Sequence, residues 1–157
     1  MASAGQKQNI AVQIAENSKN IDIHPLRLKK LVKVICKRFK ISKATISIAI
    51  VNDAQIRKLN KQFLNKDHPT DCLSFNLSDN KKSSLKSFEL VVNAEMAARQ
   101  AKLRGHSSEA ELALYITHDL LHNLGFDDST KKQAEKMHNI EDQILQQLGY
   151  GSVYNGG

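Results

Sequence analysis

The stretch HDLLHNLGFDD, from His118 to Asp128, carries the densest chemistry in the chain. Two histidines four residues apart share one face of a helix, so both imidazoles can point at one ion. Histidines at this spacing are a common zinc arrangement, and a third ligand completes an open catalytic site. Gly125 lets the backbone leave the helix in a sharp turn. The chain can then fold back so that Asp127 or Asp128 supplies an oxygen. Two imidazoles and one carboxylate leave a coordination position for water, whose pKa on zinc falls to about 7. The competing reading is structural. The same helix carries Leu112, Leu114, Tyr115, Leu121 and Leu124, and a histidine beside an apolar face is often a satisfied core residue.

The elements that must position these groups can be read from periodicity. Ile10–Ile14 and Ala44–Asn52 alternate and are rich in β-branched residues, as strands are. Leu28, Leu31, Val32 and Ile35 recur at helical spacing within 26–39. Asp53 is the expected cap of a helix over 54–64. NKDHPTD (65–71) is turn material, followed by a short strand CLSFNL (72–77), a polar surface loop over 77–87 and a strand FELVVN (88–93). Three helices are expected next: 94–105 closed by Gly105, 107–125 capped by Ser107 or Ser108, and 131–149. A loose tail ends the chain. The order β-α-β-α-β-β-α-α-α predicts an α+β fold: a single mixed sheet of about four strands packed with about five helices, the metal site on a central helix.

The chain has 157 residues, enough for one domain over 1–157 with its core in about 10–150. A net charge of +7 favours a polyanionic partner, either nucleic acid or an anionic surface, and fits a merely basic protein equally well. The two cysteines, Cys36 and Cys72, form no CxxC pair, so they predict neither a disulfide framework nor a thiolate zinc site. No apolar run reaches the roughly 20 residues of a membrane span, and the N-terminal stretch has no signal-peptide pattern. A cytoplasmic protein without a membrane partner is expected.

Two ordered motifs carry a family resemblance. H-D-L-L-H-N-L-G-F-D-D is similar to H-G-x-x-H-L-x-G-Y/F-D-H of the YbeY family of metal-dependent endoribonucleases. NKDHPTDCLSFNL (65–77) is similar to that family's K-D-x-P-T-N/D-V-L-S-F-P, and AEKMHNIEDQILQQLGY to its E-x-x-x-M-x-x-x-E-x-x-x-L-x-x-L-G. The resemblance spans about residues 10–150. It implies an α+β fold, one zinc ion (or another divalent transition metal), and cleavage of single-stranded RNA. It implies a role in maturation of the small-subunit rRNA 3′ end and in ribosome biogenesis and quality control. Ribosomal RNA, the small ribosomal subunit, and a ribosomal protein or GTPase are the implied partners. Carried over by position, His118, His122 and Asp128 are the metal-ligating and catalytic residues, with Asp128 where the family has histidine. A carboxylate there adds negative charge and shifts preference towards harder ions. Leu64 stands where the family has an arginine thought to meet RNA phosphate, Asp119 where it has glycine, and Asn76 where it has proline.

The expected reaction is metal-assisted phosphodiester hydrolysis on His118, His122 and Asp128. Asp127 can orient a ligand, Asp71 can brace the strand after it, and Thr70 and Ser74 can contact RNA. Lys61, Lys66, Arg99, Lys102 and Arg104 can track a phosphate backbone. Two rivals stand beside this reading. HxxxHxxGxxD also follows a metalloprotease spacing with Asp119 at the general-base position, and a non-catalytic ribosome- or RNA-binding relative would tolerate Leu64 and Asp128.

Overall fold

The computed structural model describes residues 8–18, 21–78 and 85–151. Most of the polar loop expected over 77–87 and most of the expected tail lie outside the described residues. The elements run β1 (Asn9–Glu16), α1 (Pro25–Arg38), β2 (Lys43–Val51), α2 (Asp53–Leu64), β3 (Cys72–Asn76), β4 (Lys86–Asn93), α3 (Ala94–Arg104), α4 (Ser108–Asn123) and α5 (Lys131–Gln147). The α+β expectation holds: one mixed four-stranded sheet with five helices among the described residues.

The sheet order is β1-β2-β4-β3. The first three strands are parallel, and β3 pairs antiparallel to β4 at the edge. The alternation in β2 explains its two faces. Ala44, Ile46, Ile48 and Ile50 are buried, while Thr45, Ser47 and Ala49 between them are only partly covered. Phe88, Leu90 and Val92 of β4 extend the buried face. Against it pack Leu28, Leu31, Val32 and Ile35 of α1, Leu112, Ile116 and Leu120 of α4, and Ile144 and Leu145 of α5. Each such side chain contributes about 1.5–3 kcal/mol on leaving water. A smaller cluster of Val51, Ile56, Leu73 and Val91, with Leu59 and Phe75, lies on the other face under α2.

One expected cap is corrected. Asn52, not Asp53, caps α2: its side chain accepts from the Gln55 N–H at 2.8 Å while Gln55 accepts from the Asn52 N–H at 2.9 Å. This reciprocal capping box satisfies two helix-end donors and stabilises the terminus by about 1 kcal/mol. Asp53 is thereby freed to bind outward, and it pairs with Arg99 of α3 through bonds of 2.7 and 3.0 Å.

The helix bearing the two histidines is central. Residues of α4 contact α1, α3, α5, β3 and β4. Its sides are covered nearly all round, so the one-sided apolar face read from the sequence understates its burial. His118, His122 and Asn123 alone along α4 are half-buried rather than buried, apart from Ser108 at its start. A helix pinned on so many sides is a rigid mount for whatever it carries.

Candidate metal centre

The first turn and the last turn of α4 decide where its histidines point. Ser107 caps the start, its hydroxyl accepting from the Ala110 N–H at 3.1 Å. At the end, the Gly125 N–H donates to the His122 carbonyl at 3.0 Å and the Phe126 N–H to the Leu121 carbonyl at 3.0 Å. These nested bonds form a Schellman turn. Gly125 sits at φ +100°, with nothing within 4 Å of where a Cβ would lie. Backbone strain rather than crowding therefore reserves this position for glycine.

Beyond the turn, Asp127 folds the chain back. Its Oδ1 accepts from the Asp128 N–H at 2.8 Å and the Ser129 N–H at 3.2 Å, and its Oδ2 accepts from the Ser129 hydroxyl at 2.8 Å. The Ser129 hydroxyl bond leads in holding the Asp127 carboxyl below the usual carboxylate range. Asp127 is thus the hinge pin of the return, and Asp128 is the acid it delivers.

Nε2 of His118 and Nε2 of His122 lie 3.0 Å apart. The two Asp128 oxygens lie 3.6 Å from one Nε2 each. One ligand atom from each of the three residues falls within 4.8 Å of the others. The far ring nitrogens are committed elsewhere. His118 Nδ1 lies 2.7 Å from Glu141 Oε2, and His122 Nδ1 lies 3.1 Å from the Phe126 carbonyl. A carboxylate and a carbonyl only accept, so each Nδ1 is placed to donate, which in the neutral ring leaves the Nε2 lone pair facing inward. Two facing lone pairs repel each other unless a cation lies between them. Ring nitrogens in a tetrahedral zinc site stand about 3.3 Å apart, given bonds of about 2.0–2.1 Å, so the observed spacing fits such an ion.

Electrostatics agree with the geometry. Burial opposes charging His118, but the hydrogen bond and charge of Glu141, with Asp119 and Asp128, outweigh it and raise its pKa. The field that favours a proton there favours any cation.

Glu141 of α5 is fully buried and bridges two imidazoles, its Oε1 lying 2.9 Å from His138 Nδ1. Sequence reasoning missed both residues. The signal was present: Glu141 shares the inward stripe of α5 with Met137, Ile144 and Leu145, and a carboxylate at a core position needs a partner. Beside the histidines a cleft of about 140 Å³ opens between Asp71, Arg104, Tyr115, His138 and Glu141. Burial and the neighbouring Glu111 carboxylate push the Tyr115 phenol far above its ordinary pKa, so it stays neutral.

The other residues singled out from the sequence separate by position. Asp119 is buried against Cys72 of β3 and does not line the cleft beside the histidines, where a general base would meet substrate. Burial drives its carboxyl up to about 7, with Cys72 and His118 pulling only part of the way back, and its Oδ2 has no hydrogen-bond partner. Asp71 accepts from the Cys72 N–H at 2.7 Å, which braces the start of β3 as expected, and Thr70 donates to it at 3.2 Å. Ser74 is half-buried within β3. Arg99 is tied to Asp53, while Lys61, Lys66 and Lys102 are exposed. Leu64 is 50% exposed at the end of α2. Cys36 and Cys72 are both free thiols.

Known proteins share this sequence and this fold. The family model described as endoribonuclease YbeY matches residues 13–149. An endoribonuclease YbeY of Carboxydothermus hydrogenoformans is 40% identical over 104 residues, 66% of this chain and 72% of that protein. One from Caldicellulosiruptor bescii is 32% identical over 153 residues, 89% of this chain and 97% of that protein. The solution structure of TM1509 from Thermotoga maritima superposes with a TM-score of 0.58 at 23% identity, covering 87% of this chain and 90% of that one. That likeness supports the fold. The family match runs from the middle of β1 to the end of α5, and with it the histidine pair and its glycine turn: the chain belongs to the YbeY endoribonuclease family.

Proposed function

We propose that this protein is a metal-dependent endoribonuclease that cuts single-stranded RNA, with one divalent ion, zinc by donor type, on His118, His122 and Asp128. The observation that carries the reading is the inward pair of Nε2 atoms 3.0 Å apart, each ring held by its Nδ1 hydrogen bond. In cells the RNA is ribosomal. The reaction belongs to maturation of the small-subunit 3′ end and to ribosome quality control in the cytoplasm, with the small subunit, and a ribosomal protein or GTPase, as partners. Family membership and the charge of +7 support this assignment.

When bound, the ion supplies Lewis-acid polarisation of a phosphate oxygen and acidifies a water. The chain's own contribution is placement. Glu141 and the Phe126 carbonyl fix the two ring orientations. Asp127 holds the turn that presents Asp128. The buried body of α4 keeps all three groups from drifting, and imprecision of about 1 Å is enough to cost most of a reaction rate.

Exchanging His122 for alanine tests the reading. Cleavage of a single-stranded RNA oligonucleotide and metal content by elemental analysis should both fall by at least about 100-fold, with the far-UV spectrum unchanged. Undiminished cleavage in that variant would refute the proposal. Chelator-sensitive cleavage of peptide with RNA left intact would replace it with the protease reading, and RNA binding without cutting by metal-loaded protein with the binder reading.

A further inference from the structure

Five basic residues were candidates to follow a phosphate backbone, and the structure separates them. Arg99 is consumed by Asp53 through two bonds. Lys61 and Lys66 lie at the far end of α2, and Lys102 projects from the exposed side of α3. Arg104 differs from all four, because it shares the wall of a cleft with His118.

Its placement is built. Arg104 is the last residue of α3, and the chain then turns at Gly105 in the left-handed region, φ +77°. Its Nη1 donates to Glu111 Oε1 at 3.1 Å, and His106 Nε2 lies 2.7 Å from the same oxygen. Glu111 is fully buried, so this anchor does not swing with solvent. The Arg104 side chain itself keeps 35% of its surface exposed. A guanidinium has five N–H donors in a planar fork, and one bond to Glu111 leaves others to offer. A planar fork of fixed orientation is the group best matched to phosphate oxygens.

The distance along α4 sets which phosphate. Glu111, Tyr115, His118 and His122 follow one another at spacings of four, three and four, so they line one stripe of the helix. Glu111 and His118 are seven residues apart, about 10 Å at 1.5 Å per residue. This offset places the Glu111 anchor of Arg104 about two turns along α4 from the histidines, room for a neighbouring phosphate of the same strand. The cleft between them is about 140 Å³ and is walled partly by Tyr115 and His138, flat rings of the kind against which bases pack.

We infer that Arg104 and the cleft it shares with His118 form a subsite for the nucleotide next to the cut, with the Arg104 guanidinium on that nucleotide's phosphate. This rests on the ribonuclease reading above, and it names the part of the strand that the protein grips. It also accounts for how a chain with Leu64 at the tip of α2 can hold RNA: the grip comes from the end of α3 instead.

The test measures binding apart from cutting. Full-length protein is stripped with EDTA, and a fluorescent single-stranded RNA oligonucleotide is titrated against wild type, Arg104→Lys and Arg104→Gln at several salt concentrations. Arg104→Gln should weaken binding about tenfold and flatten the plot of log affinity against log salt by about 0.7, one phosphate contact on a single strand. Arg104→Lys keeps the charge beside Glu111 but loses the fork, so it should retain the salt slope and fall between the two in affinity. It also guards against a folding defect, since its ion pair with Glu111 persists. Equal affinity and equal slope for all three proteins would overturn the inference, as would wild type that does not bind the oligonucleotide. Cleavage is scored separately on metal-loaded wild type. Its absence refutes the ribonuclease reading, whereas intact cleavage with indifferent Arg104 variants refutes the subsite alone.

Discussion

Glu141 Oε2 lies 2.7 Å from His118 Nδ1, so a carboxylate from α5 sets the aim of a ring on α4. The same side chain, with no exposure to solvent, reaches His138 through its other oxygen. Partners of this kind fix the tautomer and raise the basicity of a ligating imidazole. Glu141→Gln keeps an acceptor but removes the charge. Zinc affinity, followed by competition with a chromogenic chelator, should drop about 10- to 100-fold while the fold persists. Unchanged affinity would show that His118 needs no such support.

Asp127 and Asp128 are adjacent acids whose replacement should have unequal effects. Asp128→Asn removes an anionic donor facing the histidines and should lower bound metal by at least about tenfold. Asp127→Asn retains an acceptor for the turn and should leave metal content near wild type. Elemental analysis of the two purified variants compares them directly, and a larger loss from Asp127→Asn would reverse the assignment.

Asp119 is buried with an orphaned oxygen in the middle of a helix. Its removal should stabilise the protein. Asp119→Ala replaces a buried, incompletely paired carboxylate with the best helix former, and the gain should be about 1–3 kcal/mol at pH 8. Urea unfolding of both proteins without metal measures it. A destabilised variant would mean that Cys72 and His118 compensate the buried carboxylate in full.

The Asp53–Arg99 pair gives a pH dependence. The hydrogen bond from Arg99 leads in lowering the Asp53 pKa, with burial opposing it and Asn93 and the Arg99 charge assisting. A carboxyl whose folded pKa is depressed contributes stability above its unfolded pKa, near 3.9, and loses it as pH falls through the folded value. The pair is partly exposed, so its worth is below about 1 kcal/mol. Arg99→Leu should therefore be slightly less stable than wild type at pH 7, with the gap closing as pH falls below the unfolded carboxyl value. A gap that stays constant across this range would place the effect in packing rather than charge.

Much of this protein was legible because its signals are local. His118 and His122 declare a shared face by spacing alone, and Gly125 announces the turn that follows. The strand over 44–52 is readable because a half-buried strand must alternate. Most of what escaped has a common cause, which is distance along the chain. Nothing local says that β4 inserts between β2 and β3, since that order depends on which apolar faces meet. Glu141 is remote from His118 in sequence, and its partnership exists only after α5 packs on α4. The choice between Asn52 and Asp53 as helix cap turned on one residue, and both types serve equally well there. The cleft of Arg104, Tyr115 and His138 draws on α3, α4 and α5, so no single stretch of sequence encodes it.

All three inward-facing donors come from the short run between residues 118 and 128, on one helix and its exit turn. An ion that bridges so brief a span closes a small loop, which removes little freedom from the unfolded chain. It therefore differs from the zinc of small metal-folded domains, whose ligands gather distant segments. Here the apolar sheet–helix interior sustains the architecture by itself. Loss of an ion held there would leave the fold standing, so metal supply would bear on activity and not on stability.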